Sequence, residues 1–570
     1  IEEYSIFEQE VDIEPYLPKC PIQIRPLSDT GFSVSFYIRM LFSSLVDADF
    51  LDTEKFMSGG VDRIIGESID ILNLKLDEYI KKFDSPTTDI NIKRAEILNF
   101  CIQKASQDKG LYTLTVPTGG GKTISSLAFA LKHAKTHNMD RIVYVIPYNS
   151  IIEQNAAVFK NILGEDNVLE HHSDFTYDET EENQKNIILA KQKLATENWD
   201  MPVIVTTNVQ FFESLFANKT SKSRKLHNIA NSVIIFDEAQ MLPTQFLKPC
   251  VQTLAELVHN YGSTAVLCSA TQPTLGRLFP KEIHSSEICE NISELFDFFK
   301  RTEIIPIGEL DDDALAKRLN SEKQVLCIVN TRQQAQNLFK LLDEKYSYHL
   351  STLMYPIHRK RILQEIRARL TDDLPCRVVS TSLIEAGVDI DFPVVYRAEA
   401  GLDSEIQAAG RCNRENMRSI SPVYIFKPSM DEYLRSIPSS LKRPLEIAHS
   451  IIHQFTDIAS PEAISDYFSQ LYLAEGDGLD MNHIVSSFED GFKNGFSFPF
   501  GEAASQFKLI DNSTRAIVIP DDDIAKEFVQ RLKNGERSRQ ILRQIQQYTV
   551  NVYDRNYDVL YDVGYIEPID

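Results

Sequence analysis

The sequence predicts an α/β protein with two successive parallel sheets covered by helices, helical segments on either side of them, and a small mixed domain at the end. Three observations carry this. From about residue 90 to about 430, short β-branched runs alternate with helical patterns, the texture of parallel strands joined by crossover helices. A charged stretch from Glu303 to Asp313 interrupts the alternation once, which divides it into two units. The 570 residues are 43% hydrophobic and 25% charged, an ordinary globular composition with room for roughly three or four domains.

The elements follow in order. Residues 1–85 read as helical, with G-E-S-I-D-I-L-N-L-K-L-D-E-Y-I (66–80) as a clear amphipathic run and S-P-T-T-D (85–89) as a linker. The first α/β unit spans 90–302, with strands at 111–116, 141–147, 202–207, 232–237 and 265–271. The second spans 303–430, with strands at 324–331, 376–382 and 393–398. Residues 431–495 read as a helical linker. Residues 496–570 read as a C-terminal domain that need not be complete, with strands at 515–520 and 548–553 and a capped helix at 521–532.

In the first helical region, L-V-D-A-D-F-L-D-T-E (45–54) holds four acids in ten positions. At 100° per residue, Ile38, Leu41, Phe42 and Leu45 form an apolar stripe that Asp49 and Asp52 extend, while Asp47 and Glu54 fall outside as surface charges. A carboxylate on a buried face must meet a cation or hydrogen-bond donors.

The net charge of −23 argues against a surface that grips nucleic acid everywhere, and leaves room for a local basic channel. Eight cysteines are scattered without a CxxC pair, which excludes a zinc ribbon and fits reduced thiols in a cytoplasmic protein. No signal peptide and no apolar run of about 18 residues is found, so no membrane span is expected. The lone histidines, including His171, His172 and His358, read as loop or packing residues.

Chemistry concentrates at the strand ends. V-P-T-G-G-G-K-T (116–123) follows a strand and precedes a helix. Val116 stands where the strict phosphate-loop pattern has glycine, but G-x-G-K-T is intact. Thr118, Gly119, Gly120 and Gly121 would bring N–H groups onto phosphate oxygens, Lys122 would neutralise them, and Thr123 would hold Mg²⁺. F-D-E-A-Q (236–240) ends another strand, where carboxylates face a ligand crevice. Asp237 suits the Mg²⁺ shell and Glu238 the attacking water. S-A-T (269–271) ends the next strand; its hydroxyls either link the nucleotide site to a conformational change or close a turn. In Q-A-A-G-R-C-N-R (407–414), Arg411 and Arg414 share a helix face and reach for the γ-phosphate, with the alternative of a solvated basic face. Gly387 and Asp389 of S-T-S-L-I-E-A-G-V-D-I-D (380–391) would lie beside the same cleft. K-T-S-K-S-R-K (219–225) is either a solvated basic loop or a phosphate contact. Arg94 or Gln103 would serve the base, or simply face solvent.

Together, P-T-G-G-G-K-T, D-E-A-Q, S-A-T, S-T-S…E-A-G-V-D and Q-A-A-G-R-C-N-R resemble, in order, the superfamily 2 helicases. That resemblance implies two tandem RecA-like lobes closing on ATP and Mg²⁺ over residues 90–430, with Gln240 and the S-A-T hydroxyls coupling hydrolysis to lobe movement. It assigns Tyr148, Asn149, Thr207, Asn208, Thr331, Arg332 and Thr381 to the backbone of single-stranded DNA, a role polar side chains at strand ends suit. The text flanking these motifs, with F-P-F-G-E-A-A-S-Q-F-K-L-I-D (498–511), is similar to the CRISPR-associated helicase-nuclease of type I interference systems. This implies a 3′ to 5′ translocase, recruited by a surveillance complex with guide RNA on an R-loop, feeding DNA to a histidine–aspartate nuclease that uses divalent metal ions. The chain has no histidine before His133, so residues 1–85 are expected to be the C-terminal remnant of that nuclease domain. By the resemblance, Asp49 is its orphan metal ligand; a carboxylate held by local donors is the other reading. A superfamily 2 helicase of repair or restriction, and a nucleotide-gated DNA clamp, are the alternative functions.

Overall fold

The computed structural model describes residues 24–58, 66–172, 183–385, 387–416, 418–429, 433, 437–510 and 514–569; the expected helical character of 1–23 and 59–65 lies outside them. The first sheet contains β1 (Leu111–Thr115), β2 (Arg141–Ile146), β3 (Val168–His171), β4 (Val203–Thr207), β5 (Ser232–Asp237), β6 (Thr264–Ser269) and β7 (Ser285–Glu287). Their order is β3-β4-β2-β5-β6-β1-β7, and every pairing is parallel. The five central strands are almost entirely buried, as a parallel sheet covered on both faces demands. The edges β3 and β7 were not read from sequence because V-L-E-H and S-S-E are too short and polar to show a period.

The second sheet contains β8 (Thr302–Leu310), β9 (Gln324–Val329), β10 (Ser347–Leu350), β11 (Cys376–Thr381), β12 (Val395–Ala398) and β13 (Ser421–Pro428), in the order β10-β11-β9-β12-β13-β8, again parallel throughout. The stretch Glu303–Asp313, read as the divider between the two units, begins the second one. Most of that stretch is β8, an edge strand bonded only to β13, and its charges lie on the side open to solvent. The fold class is thus two parallel-sheet lobes framed by helices. No described helix is long and apolar enough to cross a membrane.

The helix Thr30–Ser58 reverses its expected phase. Phe32, Phe36 and Met40 are buried in the core of the first lobe. Ser33, Ser43 and Asp47 are buried with them, whereas Ile38, Leu41, Phe42 and Leu45 are exposed. Asp47 is therefore the inward acid, and Asp49 and Asp52 face solvent. The reason is a distant partner. Arg224 Nε lies 2.7 Å from Asp47 Oδ1, Asn198 donates to Asp47 Oδ2 at 3.1 Å, and both members of the ion pair are 4% exposed. The described residues hold no cluster of histidine, cysteine or acidic side chains that could bind a metal. Removing one member of such a pair strands the other charge, so Asp47→Ala is expected to cost about 3 kcal/mol of stability, read by urea unfolding.

Three helices, Ser439–Gln454, Pro461–Glu475 and Ile484–Lys493, follow the second sheet. The last packs on Thr30–Ser58 so closely that a Cβ at Gly31 would strike the Phe488 carbonyl. An antiparallel pair, β14 (Thr514–Val518) and β15 (Thr549–Tyr553), brackets the helices Asp523–Lys533 and Arg539–Gln546, the first capped by Asp522 accepting from Ala525 N at 2.8 Å, and the helix Asp554–Asp562 follows.

Candidate active site

Because β5, β6 and β1 are neighbours, F-D-E-A-Q, S-A-T and the glycine loop emerge side by side from the carboxyl end of the first sheet. Gly119 and Gly121 have φ of 88° and 82°, a region open to glycine at little cost. A Cβ on Gly120 would collide with Val116 Cγ1, so the valine in place of a loop glycine is matched by a glycine above it. No side chain caps the helix Lys122–Thr136. Its first N–H groups and the positive end of its dipole therefore face the loop, the usual basis of an anion site.

Lys122 Nζ lies 3.0 Å from Asp237 Oδ1 and 2.8 Å from Glu238 Oε1. Burial opposes the lysine's charge, but the two carboxylates outweigh it and hold its pKa above the ordinary value. Burial lifts Asp237 upward, against the pull of Lys122. For Glu238 the burial effect is overcome by Lys122 and Gln240, and its pKa falls below the usual carboxylate value. Glu238 holds a left-handed backbone, φ 52°, a strained state for a residue with a side chain. Gln240 Nε2 donates to Glu238 Oε2 at 2.7 Å and its carbonyl accepts from Ser269 Oγ, which in turn accepts from Thr271 N at 2.9 Å. The S-A-T serine is thus wired to the acidic pair through one glutamine.

The second lobe faces this cluster. Arg411 Nε and Nη2 donate to the Glu385 carbonyl at 3.0 and 2.6 Å, and Nη1 to the Val388 carbonyl at 2.7 Å. Burial pulls its pKa down to about 10, and the charge of Glu238 is among the groups that it feels. Arg414 Nη1 lies 3.2 Å from Asp389 Oδ1, and Gly387 turns the loop between with φ 77°. The two arginines do not share a helix face as expected. The helix Leu402–Ala409 ends before them, and Asn413, at φ 50°, turns the chain.

Arg301, missed in the sequence, joins the lobes: it donates to Thr118 O and Oγ1 at 2.9 and 2.8 Å and to Arg414 O at 2.6 Å. Nothing in K-R-T-E marks it, since its role arises from lobe packing. Beside it, a cavity of about 570 Å³ opens among Asn91, Arg94, Gly119, Phe298, Phe299 and Arg301. Arg94 also donates to Gly119 O at 2.8 Å. Gln103 is exposed and does not line the cavity. The adjacent F-D-F-F run was the available signal for these aromatics.

A larger cleft of about 1490 Å³ runs between the lobes, with Tyr148 and Thr207 on one wall and Arg359, Lys360, Arg367 and Asp389 on the other. Tyr148 Oη and Gln407 Nε2 meet at Met241 Sδ, 3.9 and 3.5 Å away. Thr207 and Thr331 use their hydroxyls to cap the following helices, accepting from Gln210 N at 2.9 Å and Gln334 N at 3.1 Å. Asn208 is buried and its Oδ1 has no hydrogen-bond partner among the described residues. Thr381 is buried at the end of β11, and Arg332 sits over the Tyr553 ring at 5.4 Å rather than in the cleft. The Asn149 side chain lies outside the described residues. In the basic stretch 219–225, Lys219 and Lys222 are exposed, but Arg224 is paired with Asp47 and Lys225 is buried, its pKa lowered to about 8 by burial. Those two are packing groups, which corrects the reading of four solvated charges.

Two parallel-sheet lobes, a glycine loop whose lysine sits on an acidic pair, and arginines on the opposite lobe define a two-lobed RecA-like motor. Residues 99–278 match the DEAD/DEAH box helicase family, and residues 321–417 match the C-terminal part of the CRISPR-associated nuclease/helicase Cas3. Over these two segments the chain is similar to a DEAD/DEAH box helicase domain and to the C-terminal part of Cas3. Its relatives include the CRISPR-associated nuclease/helicase Cas3 of Haloferax volcanii, 25% identical over 70% of this chain and 58% of the relative. Another, from Methanothermobacter thermautotrophicus, is 26% identical over 53% of this chain and 38% of the relative. The chain therefore spans well under two thirds of these relatives. Among solved structures, T. fusca Cas3 with ATP superposes with a TM-score of 0.58 at 16% identity, covering 84% of this chain and 65% of that one. This likeness is one of fold.

Proposed function

We propose that the chain is an ATP-dependent single-stranded DNA translocase and helicase of type I CRISPR interference. The observation that carries this is the contact of Lys122 with Asp237 and Glu238, with Arg411 electrostatically in range across the cleft. The donor set fits Mg²⁺-ATP: an uncapped helix end for phosphate, and a buried carboxylate for the metal. Thr123 and Asp237 would hold Mg²⁺, whose chemistry there is to neutralise charge on the phosphates. Lys122 leaves the acidic pair for the β and γ phosphates. Glu238, ionised and held by Gln240, orients the attacking water and takes its proton. Arg411 and Arg414 offset charge on the transferring phosphoryl group. Phe298 or Phe299 and Arg94 hold the base.

The strand lies in the large cleft, over Tyr148 and Thr207 and against the basic helix of Arg359, Lys360 and Arg367, where backbone contact needs no sequence reading. One matched solved structure is of a CRISPR RNA-guided surveillance complex, pre-nicking, with a TM-score of 0.50 at 15% identity. Our reading of the partner is a surveillance complex with guide RNA on an R-loop, and of the compartment the cytoplasm. In the whole protein the motor would pull DNA 3′ to 5′ into an attached metal-dependent nuclease.

Duplexes with a 3′ or a 5′ single-stranded tail test the reading. Displacement should need ATP and a 3′ tail, and Lys122→Ala should lose it, with hydrolysis down about a thousandfold. ATP-dependent binding without displacement would favour a clamp. Activity on a guide-bound R-loop no higher than on a bare tailed duplex would favour a repair or restriction motor.

A further inference from the structure

The segment F-F-K-R (298–301) leaves the helix Ile292–Phe299 of the first lobe and enters β8 of the second. It sets a buried guanidinium against the glycine loop. Arg301 is 8% exposed. Its Nη2 donates to Thr118 O and Oγ1 and its Nη1 to Arg414 O, so each of these bonds goes to a neutral oxygen. An arginine carries five N–H groups, and these three bonds leave the other two uncommitted among the described residues. A Cβ on Gly119 would lie 2.8 Å from Arg301 Nη1, so the guanidinium covers the loop at one of its glycines.

No carboxylate pairs with Arg301 among the described residues. Asp391 is committed to the N–H groups of Arg414 and Glu415, at 2.7 and 3.1 Å, and Glu415 is exposed. Arg94 and Arg414 line the same cavity as Arg301. Arg414 is paired with Asp389, whereas Arg94 bonds to Gly119 O and Asn91 Oδ1. Burial and the charge of Arg414 lower the pKa of Arg301.

A buried cation without a counter-charge is costly. Carbonyls and a hydroxyl offset part of that cost, but they do not account for three arginines around one cavity. An anion entering between the glycine loop and the aromatic wall would meet the Arg301 charge, its uncommitted N–H groups and the N–H groups of the loop together. With the base at Phe298 or Phe299 and Lys122 on the β and γ phosphates, the group that falls between them is the ribose with its α-phosphate. Arg301 stands at that place, two residues beyond Phe299 and bonded to Thr118. We propose that Arg301 is a nucleotide-binding residue whose guanidinium takes the α-phosphate. This rests on the reading of the cleft as a nucleotide site. The α-phosphate survives hydrolysis, so the contact holds ATP and ADP alike.

Arg301→Gln keeps amide donors and loses the charge; Arg301→Lys keeps the charge and loses the fork. Affinities of the full chain for ADP and for a non-hydrolysable ATP analogue, with Mg²⁺, are measured by competition against a fluorescent ADP. Arg301→Gln should weaken both by the same factor, about tenfold, and Arg301→Lys should recover most of that loss. Parental affinity in Arg301→Gln overturns the contact. An equal loss in the two variants also overturns it, as the mark of a fork that merely ties the lobes. A loss for the ATP analogue with ADP unchanged overturns it by placing the arginine on the γ-phosphate. If Arg301→Gln does not fold, Arg301→Lys decides. Its ADP affinity should fall relative to the parent as pH rises from about 7 to about 10, since a buried amine loses the charge that a guanidinium keeps. A parallel course in the two proteins overturns the contact. A parent that binds neither nucleotide overturns the nucleotide reading itself, whereas a parent whose variants bind as well as it does overturns the contact alone.

Discussion

Glu238→Gln is expected to bind ATP and to hydrolyse it about a thousandfold more slowly than the parent. Glu238 sits 2.8 Å from Lys122 with its pKa held low, so it is an ionised base beside the lysine assigned to the phosphates. The amide keeps the volume and the contact with Gln240 through its oxygen, but it cannot take a proton. It also leaves Lys122 with Asp237 alone, which favours release of the lysine to phosphate. Binding should therefore be equal or tighter while single-turnover hydrolysis collapses. If the variant hydrolyses at the parental rate, Glu238 is not the base and the acidic pair serves only to pair the lysine.

Arg411→Ala is expected to reduce hydrolysis about a thousandfold, with ATP affinity little changed. Its guanidinium is committed to the carbonyls of Glu385 and Val388, which fixes its place in the cleft and leaves its charge available to the phosphates. Lysine at the same position would carry the charge without the bidentate hold and should recover only part of the rate. A loss of ATP affinity with the saturated rate unchanged would mean that Arg411 contributes uniform binding rather than stabilisation of the transferring group.

The glycine loop, F-D-E-A-Q and S-A-T were readable because each is a local strand-end pattern, and β1, β5 and β6 place them side by side. The phase of Thr30–Ser58 was not readable in the same way. The stripe of Ile38, Leu41, Phe42 and Leu45 is exposed, and the inward face mixes Phe32, Phe36 and Met40 with Ser33, Ser43 and Asp47, the last balanced by Arg224, 177 residues away. Periodicity assigns apolar residues to the interior and has no means of seeing a partner so distant. Arg301 shares that limitation, since it acts by crossing between segments that only folding brings together. Edge strands such as β8 hide for a different reason: half of their residues face water and read as a charged linker.

The rate of ATP hydrolysis by this chain, with Mg²⁺, in the absence and presence of single-stranded DNA, tests the motor reading most directly. The account predicts measurable turnover that rises with DNA and disappears in Lys122→Ala. A folded chain that binds ATP without turning it over, or a Lys122→Ala variant as fast as the parent, would contradict it.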